Sequence, residues 1–334
     1  MAACGAVFGL ETALPGEEGA PTVALVVGID GVEGEYREKF EKSVAEWELA
    51  AKRGGAKVEK FGHAAGEKTA VRDALKAFID AEKSRPKDQG GPLWLVLIGH
   101  GSFDGREAKF NVAGPDFTDR ELGEWLKGFP RGLAVINTAS ASGSFLTALS
   151  GPDRVVVTAT KSPNEVFYAR FGEFFSRAIG GEARADLDND EQVSLLEAFL
   201  YSAEQVDQYY RKEGRLATEH ALIDDNGDGL GTRPDWFEGV RAVKVAKQDA
   251  KPDGERALQW ALVPSALEAM LTAAQRERRD ALELEIRDLT RKRESMGEPD
   301  YYAELEKRLV EIARIYEAAE KNPAKGGKGG GKSS

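Results

Sequence analysis

Leu93-Trp-Leu-Val-Leu-Ile-Gly-His-Gly-Ser102 and Leu133-Ala-Val-Ile-Asn-Thr-Ala-Ser-Ala-Ser-Gly143 share one plan. Each begins as a short apolar run and ends in small, turn-forming residues around one side chain capable of chemistry. A continuous apolar run bounded by such turn residues reads as a strand buried on both faces, which belongs to a parallel sheet covered by helices. Comparable runs at Val23–Gly28, Lys57–Phe61 and Arg154–Thr160 alternate with helical patterns at about 35–53, 67–84, 118–127 and 143–149. That alternation predicts an α/β domain with a mostly parallel sheet. The turn residues Asp104-Gly105 break the rhythm within Asp104–Val112 and predict a small hairpin.

In a parallel sheet, residues just past the carboxyl ends of neighbouring strands meet in one crevice, where open α/β sheets bind their ligands. One loop brings His100 and the other brings Ser140, a possible base and nucleophile. The adjacent glycines let backbone N–H groups approach a developing oxyanion. Read alone, each loop is also what ordinary turn chemistry produces.

The order of the two loops is more specific. An apolar strand ending in His-Gly, then one ending in Ala-x-x-Ser-Gly some forty residues later, resembles the legumain family of caspase-like (clan CD) peptidases, in its bacterial branch. The resemblance rests on Leu95–Gly105 and Ala139–Ser144 and spans about Pro21 to Val245. It implies a caspase-like three-layer sandwich and a cleft for an extended peptide or protein substrate. It also implies His100 as the catalytic histidine, Gly101 as an oxyanion donor, and Ser140 in the place of the nucleophilic cysteine. The resemblance implies a His–Cys dyad without the tightly held third member of a serine triad, so an alcohol there is a poor substitute for a thiolate. Three readings stay open: a pseudo-peptidase that binds without cutting, a working serine variant, or a cysteine enzyme whose nucleophile was replaced. The balance falls towards weak or absent proteolysis.

Asp186-Leu-Asp-Asn-Asp190-Glu-Gln192-Val-Ser194-Leu-Leu-Glu197 follows the calcium-loop spacing of an EF-hand. Calcium is therefore the expected cofactor, with Asp186, Asp188, Asp190, Gln192, Ser194 and Glu197 as candidate ligands. Glu191 stands where the loop normally has glycine, and an acidic turn before a helix is the plainer alternative. Asp224-Asp-Asn226-Gly-Asp228-Gly229 repeats the opening of such a loop, but its twelfth position, Asp235, follows a proline. An Asx-turn loop is at least as good a reading there. His63 and His220 read as loop or structural histidines, and Asp30 and Glu165 as possible linings of a specificity pocket.

The remaining organisation is a tail at 1–21, the peptidase-like domain at 22–260 with two further helices near 165–179 and 194–213, a helical hairpin at 261–321 and a Gly/Lys tail at 322–334. The hairpin carries Leu267, Leu271, Leu282, Ile286 and Leu289, then a break at Gly297-Glu-Pro299, then Tyr302–Lys321 with Leu305, Leu309, Ile312 and Ile315. Its expected role is packing or self-association. Gly326 to Ser333 matches P-loop spacing but lacks the strand and helix a P-loop needs. With 57 acidic against 46 basic residues and a net charge of -11, a nucleic-acid partner is not expected. No apolar run approaches the roughly 20 residues of a membrane span. Localisation stays open: the sequence as given shows no signal peptide, which reads as cytoplasmic, and Cys4, the sole cysteine, keeps an exported lipoprotein as the alternative.

Overall fold

The computed structural model describes residues 19–29, 35–62, 70–86, 90–247 and 251–323. Cys4, Asp30, His63 and the Gly/Lys stretch from 324 onwards lie outside the described residues. The expected strands are all present: β1 (Thr22–Val27), β2 (Lys57–Phe61) and β3 (Leu93–Ile98). A small antiparallel sheet follows, made of β4 (Gly101–Phe103), β5 (Ala108–Phe110) and β6 (Phe117–Thr118). It contains the hairpin at Asp104, whose carboxylate accepts the N–H groups of Arg106 and Glu107. The chain then returns through β7 (Leu133–Asn137) and β8 (Arg154–Thr158) and, after two helices, adds β9 (Leu222–Asp224).

The central sheet has the order β2-β1-β3-β7-β8-β9. Its first five strands are parallel, and β9 runs antiparallel to β8. Successive strand residues point to opposite faces, and the core divides accordingly. Val23, Leu25, Trp94, Val96, Ile136 and Val157 pack with α1 (Arg37–Arg53), while Ala24, Val26, Leu95, Leu97, Val135 and Val156 pack with α2 (Val71–Ser84). α3 (Asp119–Leu126) and α4 (Gly143–Leu149) join α2, and α5 (Phe171–Ile179) and α6 (Leu195–Lys212) join α1. The result is the α/β three-layer sandwich that the strand pattern predicts. Edge strand β2 exposes Lys57, Glu59 and Lys60, charges that discourage pairing with another sheet.

Three boundaries differ from the sequence expectation. The helix anticipated from 165 begins only at Phe171, because the N–H groups of Arg170 and Phe171 are taken by Glu219 from far along the chain. Residues 161–170 are thereby left as a loop over the carboxyl edge of the sheet. The first hairpin helix, expected from Ser265, is α7 (Ala273–Arg291), opened by a capping box between Thr272 and Gln275. The break at Gly297-Glu-Pro299 is the start of α8 (Glu298–Lys321), where proline is tolerated in the first turn. Between 214 and 260, which the sequence left unassigned, lie β9 and a two-stranded ribbon, β10 (Phe237–Glu238) with β11 (Arg241–Ala242).

The hairpin is tied to the chain before it by buried charge. Arg279, 6% exposed, forks onto both oxygens of Glu268, and Tyr316 donates to the same carboxylate. Gln259 adds bonds to the Asp280 carbonyl and to Glu283. No described helix is long and apolar enough to cross a membrane.

Candidate functional site

The loops after β3 and β7 touch through one residue from each. The N–H of Gly101 donates to Ser140 Oγ at 3.1 Å, and Ser140 Oγ donates to the Gly101 carbonyl at 3.0 Å. A Cβ on Gly101 would stand 2.2 Å from the Ser140 carbonyl oxygen, so only glycine permits this approach. Ser140 is 2% exposed. Its loop is held by Thr138 Oγ1 donating to the Leu97 carbonyl, and by Ala141 in the left-handed region at φ 53°. The N–H of Ala141 donates to the Glu165 carbonyl at 2.8 Å. Parallel register between β3 and β7 therefore delivers two of the three sequence-predicted catalytic residues, Gly101 and Ser140, into direct contact.

His100, the third, is half-buried among aromatic rings. Tyr36 lies 4.6 Å from it by ring centroid, Phe40 5.5 Å and Tyr168 5.6 Å. Tyr36 caps α1, Phe40 lies one turn along it, and Tyr168 comes from the loop after β8. Beside the serine loop, Glu165 and His220 form a pair, with His220 Nδ1 2.6 Å from Glu165 Oε1. Glu165 Oε2 accepts the N–H groups of His220 and Lys161. Both residues had only weak signals in the sequence; the fold joins them and fastens Glu165 to the residue after Ser140.

The acidic loop before α6 brings carboxylate oxygens of Asp186, Asp188 and Asp190 within 4.8 Å of one another. Burial, then the charges of Glu197, Asp190 and Asp186, push the Asp188 carboxyl up to about 6. Asn189 and Glu191 take φ of 61° and 69°, so Glu191 adopts the left-handed turn usually given to glycine. Glu197, 1% exposed, accepts the N–H groups of Leu187 and Asp188 with one oxygen and the backbone N–H and hydroxyl O–H of Ser194 with the other. Gln192 donates to Asp190 and accepts from the Ser265 N–H. The three aspartates therefore converge, while Glu197, Ser194 and Gln192 brace the loop. An oxygen-only set of this kind suits a hard divalent cation.

The second loop repeats that backbone. Gly227 and Gly229 have φ of 80° and 74°, and their N–H groups donate to Asp224. In the first loop Glu197 Oε1 takes the second and third amides; here Asp253 Oδ1 does so, from Asp225 and Asn226. Asp235, at the sequence-derived twelfth position, instead pairs with Arg233 at the surface. Asp253 was invisible to spacing because it approaches from 18 residues beyond that position.

A scan of known protein families gives no match to this chain, and no curated protein matches it in sequence. Among solved structures, the chain is similar to the Drosophila initiator caspase Dronc at 14% identity, covering 66% of this chain and 87% of that one, with a TM-score of 0.40. It is also similar to drICE, at 10% identity over 63% and 89% of the two chains, and to caspase-1 from Spodoptera frugiperda, at 10% over 66% and 94%, both with a TM-score of 0.40.

Asp253 generates a pH prediction. Burial, and then the neighbouring Asp225 charge, push its carboxyl from 3.8 up to about 8. Between those values the unfolded chain loses a proton that the folded chain keeps, so folding stability falls as pH rises. Asp253→Asn, neutral throughout, should flatten the decline of melting temperature from pH 5 to pH 8 in chelator. An unchanged decline would contradict the buried neutral carboxyl.

Proposed function

We propose that this chain is a caspase-like peptidase-family protein of the legumain type that binds extended peptides across the carboxyl ends of β3 and β7, with Ser140 leaving it little or no proteolytic activity. The observation that carries this reading is the contact between Gly101 and Ser140 beside His100. Histidine, backbone donor and hydroxyl stand at one edge of the sheet, in the strand order that the resemblance implies. The hydroxyl proton of Ser140 is engaged by a carbonyl rather than by a base. An alcohol needs a well-oriented base to become a nucleophile, whereas a thiol needs far less help.

We further propose that Asp186, Asp188 and Asp190 bind calcium in the loop before α6. The crowding of three carboxylates, and the raised Asp188, are what a divalent cation would relieve. The cation would act in holding the loop and the start of α6. We also assign self-association to the hairpin at 261–321. Tyr302, Leu309 and Val310 of α8 expose 48%, 49% and 39% of their surface around an apolar hollow of about 440 Å³.

Three experiments test these assignments. Ser140→Cys should create or raise peptidase activity against a broad peptide library, and adding His100→Ala should remove most of the gain, on the order of 10²–10⁴-fold. Wild-type activity abolished by Ser140→Ala would show a true serine enzyme; no activity in folded Ser140→Cys would remove the peptidase reading. Calcium at a hundredfold excess over its dissociation constant should stabilise the protein by about 2.7 kcal/mol, and Asp188→Ala should abolish most of that effect. Equal melting in calcium and in chelator would leave the loop purely structural. Light scattering should give a multiple of the chain mass that Leu309→Glu reduces to one chain; a wild-type monomer would contradict the hairpin assignment.

A further inference from the structure

α8 carries two stripes of side chains, and one of them is used within the chain. Tyr301 and Ala319 are buried, Arg308 reaches Glu285 of α7, and Tyr316 reaches Glu268 before it. Turned away from these, Tyr302, Leu305, Leu309, Val310 and Ala313 form a second stripe and, with Glu306, line the apolar hollow. Their spacing of three, seven and eleven residues from Tyr302 is that of a helix face built to meet another helix. Tyr302, Leu309 and Val310 nevertheless stay exposed, and no described residue outside α8 lines the hollow.

The charges along α8 are mostly spent inside the chain. Arg308 pairs with Glu304 and Glu285, Glu311 with Arg278, and Glu317 with Lys321. Glu306 and Arg314 are both exposed, and neither makes a hydrogen bond or ion pair among the described residues. Arg314 acts on Glu311 only at a distance. Glu306 borders the hollow itself, and Arg314 follows Ala313 in its lining. At 3.6 residues per turn the two fall on the same flank of the apolar stripe, the acid nearer the amino end and the base nearer the carboxyl end. Leu305 lies on the opposite flank.

An exposed apolar stripe with a polar rim marks an interaction surface, and the order of its flanking charges selects the partner. We infer that the stripe is covered by α8 of a second copy of this chain, running antiparallel about a two-fold axis near Leu309 and Val310. The inference rests on the self-association assigned to the hairpin above and adds its orientation. Such an axis makes the interface isologous, so whatever one copy offers the other receives in return. Glu306 of each copy then stands beside Arg314 of the other, and two equivalent ion pairs close at the rim. A parallel pair would instead set each Glu306 against the partner's Leu305 flank, where the carboxylate loses water and gains no cation. Antiparallel pairing also joins the two hairpins as a four-helix bundle, with the α7–α8 turns at opposite ends.

The test uses the full-length chain, with dimer strength read by analytical ultracentrifugation. Glu306→Arg should weaken the dimer about tenfold, and Arg314→Glu likewise, since each turns two attractions into repulsions. Both changes together reverse the pairs and should restore the wild-type strength to within severalfold. That rescue also shows that neither single change acts by unfolding the hairpin. Orientation is read by joining single cysteines with a short bismaleimide after Cys4→Ser. Chains with Glu306→Cys mixed with chains with Ala313→Cys should join, and chains with Ala313→Cys alone should not. A monomer at every concentration would overturn the self-association and this inference together. A dimer that Ala313→Cys joins to itself, or that the charge reversals leave unchanged, would overturn the antiparallel pairing and leave self-association standing.

Discussion

A backbone pinch between Gly101 and Ser140 is the constraint on which the site depends. Two neighbouring parallel strands end at the same level, and their loops must cross within hydrogen-bonding distance. Only a residue without a side chain fits at Gly101, where a Cβ would meet the Ser140 carbonyl oxygen at 2.2 Å. The same pinch recurs one strand over, where a Cβ on Gly99 would come 2.9 Å from the Gly28 Cα. The carboxyl edge of the sheet is thus drawn together by glycines, and His100 between them packs against Tyr36, Phe40 and Tyr168. Both hydrogen-bonding groups of Gly101 meet one hydroxyl. Satisfying them locally stabilises the loop at rest, but it also occupies the N–H that an oxyanion would require.

Around this edge the chain uses acidic residues as fasteners. Glu219 caps α5 from a distance, Glu165 ties the residue after Ser140 to His220, and Glu197 and Asp253 each close an aspartate-rich loop by accepting two successive amides. Carboxylates suit the task because each offers two oxygens with several acceptor positions, and charge-assisted bonds to backbone N–H groups are the stronger ones. The accompanying cost is desolvation, visible in the raised Glu219, Asp225 and Asp253 carboxyls. That cost falls at the loops, while the strands beneath, β1, β3 and β7, are fully buried.

What could be read from the sequence was local or periodic. Leu93–Ile98 and Leu133–Asn137 announce themselves because strands buried on both faces need no alternation, only an unbroken apolar run closed by glycine and small polar residues. Gly101 and Ser140 followed from where those runs stop. The aromatic surround of His100 was not legible: Tyr36, Phe40 and Tyr168 come from different parts of the chain, and only the sheet order brings them together. Asp253 was missed for the same reason, since the calcium-loop spacing looks for its closing acid in the same segment. β9 carries just three residues and runs against its neighbour, too short for a periodic signal. Glu165 and His220 could be noted singly, but their pairing depends on a loop that Glu219 prevents from joining α5.

Whether a peptide lies across Gly101 and Ser140 is asked directly by a crystal structure with a peptide aldehyde. An aldehyde carbon reacts reversibly with a hydroxyl, so its position marks the reacting centre without demanding turnover. The aldehyde carbon should sit at Ser140 Oγ, its oxygen accepting the Gly101 N–H in place of the serine, with the peptide running past His100. A peptide seated elsewhere on the molecule, with Ser140 still closed onto Gly101, would contradict it.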